Sequence, residues 1–409
     1  MLSNQTFNLY SPINNDESIS KVETRTYLPF IKSFNNNDSI EVSINRSDTW
    51  LFMHDAVLII KGQLEKTAGN GTIKLVPNCG AFLFDSISYE LHGTEIDSVR
   101  EPGLISTIKG YLCYDKDSVR ELETAGWTYP NDPEINADGS FIFRIPLKHL
   151  LNFFNDYHLA ICGKQTIRLI RSQNDNNAMK ITAGTGEAVG VTKGQVKIHS
   201  IELKVKHIHP NDVLKIELLE SMKSNRPILF PFRKWEIHEL PNLTTNSLTE
   251  IWTVKTTSII DYPRFIICCF QTKKKNISTE DPTLFDNIDV SDVRLLLNGE
   301  FIPQENSRLN FKKNDYGEAY YNYTEFSTSY NNLKINPLIQ YSDFKNRCLF
   351  VIDCSRRSES FKSSTVDIKL EIESRSGFPS STRAYCIIVY DCIMENLPLT
   401  ETVRKLTSI

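Results

Sequence analysis

The sequence predicts an all-β chain of two fused eight-stranded jelly rolls with short connecting helices. Three observations carry that reading. First, one stretch recurs. Gly80–Ile96 (GAFLFDSISYELHGTEI) reads as a strand ending in a tight turn at His92-Gly93, and Leu284–Ile288 followed by Asp292–Ile302 (DVRLLLNGEFI) repeats it with Asn298-Gly299. Both copies begin Leu-Phe-Asp-x-Ile, and both close on a polar residue, a glycine and, three positions later, an isoleucine. Glycine supplies the positive φ that a two-residue hairpin turn demands. Second, the turn glycines lie 206 positions apart in a chain of 409 residues, so each half has the length of an ordinary domain. Third, each half holds seven or eight short runs of strand character separated by loops of very unequal length. Eight strands in two packed sheets make a jelly roll, and uneven loops fit it better than an up-and-down barrel.

Taken in order, residues 1–37 are polar and Asn/Ser-rich, with Tyr27-Leu28-Pro29-Phe30 as the one apolar patch, and read as an N-terminal arm that orders against a neighbour. The first roll is placed at 38–210. Ser39–Ile44 alternates strictly, as a half-buried strand does, and Ala56–Leu64 is a more continuous apolar run that suits a strand covered on both faces. After the Leu83–His92 strand, Leu104–Leu112 has helical spacing, and Tyr114–Ser140, rich in charges, prolines and glycines, reads as a long excursion. Phe141–Ile145 is a strand. Leu147, Leu150, Leu151 and Phe154 then fall on one face of a short helix opened by Pro146. Thr166–Ile170 and Val196–Lys206 complete the roll, with a polar, glycine-rich flexible loop between them.

Residues 211–227 are a linker helix, with Asn211-Asp212 placed to cap it and Arg226-Pro227 to end it. The second roll is placed at 228–396. Its strands are Ile228–Phe232, Ile251–Val254, Phe265–Phe270, Asp292–Asn298, Cys348–Asp353, Val366–Ile372 and Ala384–Tyr390. A polar, Tyr/Asn-rich loop runs to about Lys334, and Pro337-Leu338-Ile339 with Phe344 echoes Pro146-Leu147 with Phe153 and Phe154. Residues 397–409 are a C-terminal tail.

Composition narrows the function. A formal net charge of −4 argues against a protein that coats nucleic acid while allowing a local basic patch, and the one basic run, Lys273-Lys274-Lys275, reads as a solvated loop tip. Nine scattered cysteines without a CxxC pair are neither a disulfide framework nor a zinc pattern, and they indicate a reducing compartment. Met1–Thr6 has neither a basic nor an apolar signal region, and no apolar stretch reaches the length of a membrane span.

Four constellations bear on chemistry. Gly184–Gly190 looks like a phosphate loop, but its spacing is one residue too long and a strand follows it instead of a helix. His207 and His209 share one face of a strand, without a third ligand at metal-site spacing. Asp353, Glu371, Glu373 and Asp391 would serve a glycosidase if two of them converged in a cleft, but they alternate with apolar residues as a solvated strand face does. Asp353-Cys354-Ser355-Arg356-Arg357 has a nucleophile without a base fixed near it. No catalytic, cofactor-binding or metal-binding residue is assigned, and the chain is read as a non-enzyme.

The order of these parts resembles the double jelly-roll major capsid proteins of the tectivirus, adenovirus and Polinton-like lineage, including those of invertebrate viruses and virus-like elements. The residues carrying the likeness are Phe82–Ile96 (FLFDSISYELHGTEI), Ile145–Phe154 (IPLKHLLNFF), Phe265–Thr272 (FIICCFQT), Leu349–Ser355 (LFVIDCS) and Thr382–Asp391 (TRAYCIIVYD). The resemblance implies a homotrimer whose six rolls make a near-hexagonal capsomer, tiling an icosahedral shell of the virion with neighbouring capsomers and a penton or minor capsid protein. It places Tyr114–Ser140 and Gln304–Tyr330 as outer or intersubunit loops. The chain departs from the Polinton-like group in being compact, which implies shorter tower loops, and it lacks a strongly basic arm. The competing reading is a double β-sandwich that processes or binds glycans.

Overall fold

The computed structural model describes residues 18–45, 49–257, 262–355 and 366–406. In the first half the strands are β1 (Ile19–Tyr27), β2 (Ser39–Ile44), β3 (Trp50–Ala68), β4 (Thr72–Leu75), β5 (Phe84–Leu91), β6 (Thr94–Arg100), β7 (Ser140–Pro146), β8 (Gln165–Arg171), β9 (Met179–Thr182) and β10 (Lys193–Pro210). Two four-stranded antiparallel sheets form, in the orders β1-β10-β3-β7 and β2-β8-β5-β6, and β4 pairs with β9 in a small separate ribbon. In the second half the strands are β11 (Ile228–Leu240), β12 (Thr249–Thr257), β13 (Pro263–Thr272), β14 (Val290–Leu297), β15 (Glu300–Ile302), β16 (Phe350–Asp353), β17 (Val366–Ser374), β18 (Thr382–Leu397) and β19 (Thr402–Lys405). Their sheets run β11-β18-β13-β16 and β12-β17-β14-β15, with β19 added to β18. Leaving out the β4–β9 ribbon and β19, each half has eight strands in the same order, 1-8-3-6 against 2-7-4-5. That is jelly-roll topology, twice.

Alternation explains how each sandwich closes. Ile40, Val42 and Ile44 of β2, Ile87, Tyr89 and Leu91 of β5, and Phe141, Phe143 and Ile145 of β7 all point into the first core. β3 and β13 are equivalent strands that read as continuous apolar runs, and helices lie over their second faces; β18 carries a third such run, buried from Ala384 to Tyr390. In the first roll α4 (Leu147–Leu150) and α5 (Asn152–Asp156) pack on β3, α1 (Cys79–Phe82) and α2 (Pro102–Cys113) pack on β5, and α3 (Lys116–Leu122) follows α2. The linker is α6 (Asp212–Lys223), capped where expected: the Asn211 side chain accepts from the Leu214 N–H. In the second roll α7 (Gly317–Asn331) lies over β16 and β13, with Phe326 ring-to-ring on Phe265 at 4.9 Å.

The recurrent stretch is the hairpin of each roll. His92 and Gly93 take φ of 52° and 81°, Asn298 and Gly299 take 51° and 89°, and the strands on either side pair directly. The shared opening Leu-Phe-Asp-x-Ile is not equivalent in space. It begins β5 in the first copy, whereas in the second it stands five residues further from the turn and precedes β14.

Several expectations are corrected. Ile19–Tyr27, placed in the arm, is the edge strand β1 paired along β10, and Thr402–Lys405 of the tail pairs with β18. Residues 1–17 and 407–409 lie outside the described residues. The excursion Tyr114–Ser140 contains α3 and the fully buried Trp127. The helix after Pro146 is two short helices, because Leu151 turns extended between them (φ −116°, ψ 125°). The glycine-rich loop is held instead of flexible. The Glu187 carboxylate accepts from the N–H groups of Asn70 and Gly184 and from the Thr192 hydroxyl. The nine cysteines are all free thiols.

Candidate functional site

The helices over β3 and β13 face one another, and the seam they form is the most elaborate polar and aromatic construction in the chain. From the first roll, α5 offers Asn152, Phe153, Asp156 and the following Tyr157. Phe153 meets Phe232 at 5.3 Å between ring centroids, and Tyr157 meets Phe230 at 4.9 Å, both edge to face, the arrangement the ring quadrupoles favour. Arg233 of β11 donates to Asp156 through Nη2 at 2.6 Å and Nε at 2.9 Å, while its own backbone N–H reaches the same carboxylate at 2.8 Å. The guanidinium also lies 3.6 Å from the ring centre of Tyr330 in α7. Asn152 Nδ2 reaches the Arg233 carbonyl and the Tyr330 hydroxyl, and Trp235 Nε1 donates to that same hydroxyl. Burial raises the Asp156 pKa, and the bonds from Arg233 more than reverse it, so the carboxyl sits below its ordinary range.

A second tie crosses nearby. Tyr323 of α7 donates to the Tyr111 carbonyl of α2 at 2.8 Å, and the Tyr111 hydroxyl donates to the Thr283 carbonyl at 3.1 Å. The third uses the basic run expected as a solvated loop tip. Lys275 bridges Glu101 of the first roll and Glu239 of the second, and Lys274 pairs with Asp286 at 2.6 Å. Burial would lower the Lys275 pKa, and the two carboxylates around it raise it instead. The run is a rivet because the start of α2 and the end of β11 bring acceptors to it.

Behind the seam a buried network sets the helices. Asn78 Nδ2 donates to Gly103 O, Ser106 Oγ and Thr107 Oγ1, so its Oδ1 is left to accept from His149 Nε2 at 3.1 Å. His149 Nδ1 then accepts from the Tyr114 hydroxyl at 2.9 Å. Burial, with Lys109 nearby, pushes the His149 pKa down to about 3, so the ring is neutral and bonded at both nitrogens.

The four constellations do not come together in space. His207 is buried and bonded to Tyr27 Oη and Thr49 Oγ1, while His209 faces Glu23 at 3.4 Å. Among the described residues no cluster of three metal-ligating side chains occurs. Glu371 pairs with Arg294 and Asp391 with Arg264, each at 2.6 Å. Asp353 caps its own turn by accepting from Ser355, and Glu373 stands opposite Asp292. These acids lie in two different sheets. Arg356 and Arg357 lie outside the described residues. In the loop at Gly184–Gly190 the Gly184 N–H is turned on the loop's own Glu187.

Sequence reading missed the seam partners. Asp156 and Arg233 are 77 positions apart and carry no local signal. Tyr330 did carry one: Tyr316, Tyr320, Tyr323, Phe326 and Tyr330 recur at three- and four-residue steps, the stripe of a helix face.

Two rolls of identical strand order, joined by a helix and bolted by the helices over β3 and β13, decide the kinship. The chain belongs to the double jelly roll-like domain family. The sequence model of that family matches residues 73–394. Among curated proteins none matches the chain. Three solved structures share the double jelly-roll fold at 10% identity. A chain from the cryo-EM structure of the Sputnik virophage gives a TM-score of 0.64, covering 100% of this chain and 93% of its own. The mavirus major capsid protein gives 0.60 with 100% and 94%, and a chain of the PBCV-1 virus capsid gives 0.61 with 98% and 100%. No helix among the described residues is long and apolar enough to cross a membrane.

Proposed function

We propose that this chain is a viral major capsid protein that forms homotrimers, each presenting six similar rolls as a near-hexagonal tile of an icosahedral shell in the virion. The single observation that carries the reading is the pairing of two topologically identical rolls held in one orientation by the seam. A rigid tandem of near-equal halves is what a three-fold assembly needs to imitate six-fold symmetry, since closed symmetric contacts require the same patches on every copy. End-to-end likeness in fold to the mavirus and PBCV-1 capsid chains supports it. The paired, dispersed carboxylates favour a structural role over a glycan-processing one.

In this reading Tyr114–Ser140 and Gln304–Tyr330 reach neighbours with what the seam leaves exposed, such as Tyr321, while the neighbouring capsomers and a penton or minor capsid protein are the partners. The rolls are 19–210, with β1 included, and 228–405, with β19 included, joined by 211–227. The test is a surface variant that folding does not need. Ile251 of β12 is 63% exposed, so Ile251→Asp leaves the thermal transition of the soluble protein within about 0.5 kcal/mol. The same change, on an apolar patch buried by assembly, reduces particle yield in negative-stain images. Intact particles from a panel of such exposed apolar sites (Ile142, Leu248, Ile251) would refute the reading.

A further inference from the structure

Within one chain the rolls meet through parts that each roll owns but uses only once. β11, the first strand of the second roll, packs on α5 and on β6, the fifth strand of the first roll. The matching parts are left over. β1, the first strand of the first roll, pairs with β10 alone, and β15, the fifth strand of the second roll, pairs with β14 alone.

Both leftover parts carry apolar side chains in the open. On and after β1, Val22, Leu28 and Phe30 are 53%, 66% and 77% exposed, and on β15 Phe301 is 37% exposed. Beside β15 a groove of about 370 Å³ runs between Ile302-Pro303 and α7. Val293, Phe326 and Phe350 give it an apolar floor, and the exposed Tyr321 of α7 stands at its rim. Glu318, Asn322, Glu325 and Ser329 also line it, one face of α7 at four- and three-residue steps, apart from the buried tyrosine stripe. Asp353 of β16 adds a third carboxylate, and among the described residues no lysine, arginine or histidine lines the groove. The segment 21–32 is complementary. Its Lys21, Arg25 and Lys32 outnumber its one acid, Glu23, which Lys21 and Arg25 already engage.

We infer that the groove beside β15 receives residues 21–32 of a second copy, so that β1 of one chain sits on the second roll of the next as β11 sits on the first roll of its own. Leu28 and Phe30 are the apolar anchors. The three carboxylates meet the basic side chains, an attraction that sets register and speeds the encounter. One patch meets a different patch, and head-to-tail contacts of that kind close into a ring when the rotation between neighbours allows it. The placement rests on the trimeric reading proposed above and adds to it the two surfaces that meet.

The test mixes two single variants, Lys32→Cys in a chain carrying a mass tag and Asn322→Cys in an untagged chain. Both positions are exposed, and neither is an anchor. The assembled mixture is treated with a flexible bismaleimide and its linked peptides are read by mass spectrometry. Seven of the nine native thiols are buried and stay out of the reaction. The expected product joins position 32 of one chain to position 322 of the other. Phe30→Asp leaves the Tm of the dilute monomer unchanged. It raises the concentration at which the trimer half-dissociates about tenfold or more, the loss of one aromatic anchor. A trimer that lacks the 32–322 link and is indifferent to Phe30→Asp overturns this pairing of surfaces while the capsid reading stands. A chain that stays monomeric at every concentration overturns both.

Discussion

Asp156→Ala tests whether the seam holds the rolls together. The change removes the carboxylate that accepts from Arg233 Nη2, Nε and N–H, and from Asn152 Nδ2 at 3.0 Å. Removing one member of a buried ion pair costs about 3–5 kcal/mol, because the other charge is left desolvated. Here the Arg233 side chain is 22% exposed and keeps its stacking on Tyr330, so the loss belongs near the lower end, about 3 kcal/mol. Urea unfolding followed by tryptophan fluorescence reads it as a lower midpoint at unchanged slope.

The pH dependence gives a second reading. The folded pKa of Asp156 is depressed below its unfolded value. Its stabilisation is therefore complete above about pH 4 and fades as pH falls through the folded pKa. The penalty of the variant at pH 7 shrinks once the carboxyl is protonated. A loss under about 1 kcal/mol at pH 7, or the same loss on both sides of that titration, would refute the account of the seam.

Three further outcomes follow from buried groups. Gly110→Ala, which in an ordinary helix gains about 1 kcal/mol, destabilises by about 1–2 kcal/mol, since its Cβ would stand 2.4 Å from the Trp127 ring; calorimetry reads the sign. Lys109 is 2% exposed, donates to the Lys148 carbonyl and has its pKa pushed down by burial to about 8. The unfolded chain then binds more protons between pH 8 and the ordinary lysine value, so stability rises with pH across that window by up to about 3 kcal/mol. Lys109→Met removes that rise and is more stable at pH 7, which matched urea titrations of the two proteins would show. Lys275→Met cuts the tie to Glu101 and Glu239 and costs about 1–2 kcal/mol, less at high salt because the group is partly exposed.

The sandwich strands were legible because half-burial writes itself as alternation. Ile40, Val42 and Ile44 announce β2 without any knowledge of what they pack on. The turn at Asn298-Gly299 was legible because few residues accept that backbone. What the sequence hid is what depends on distant partners. Lys275 is a charge in a loop until Glu101, 174 positions away, comes beside it. α7 was concealed by its own polarity, since its buried face is tyrosine-rich and reads as loop composition. β1 is exposed on its outer side and lacks strong alternation, so nothing local set it apart from an arm until β10 paired with it. The seam fell between these limits: its aromatic stripe was present in the sequence, but the faces it joins were not.

The measurement closest to the central claim is the native mass of the purified chain by light scattering, with negative-stain images of the same sample. The account predicts a trimer of three 46.9 kDa chains, about 141 kDa, or closed shells. A monomer of 46.9 kDa that persists across salt and pH, without particles, would contradict it.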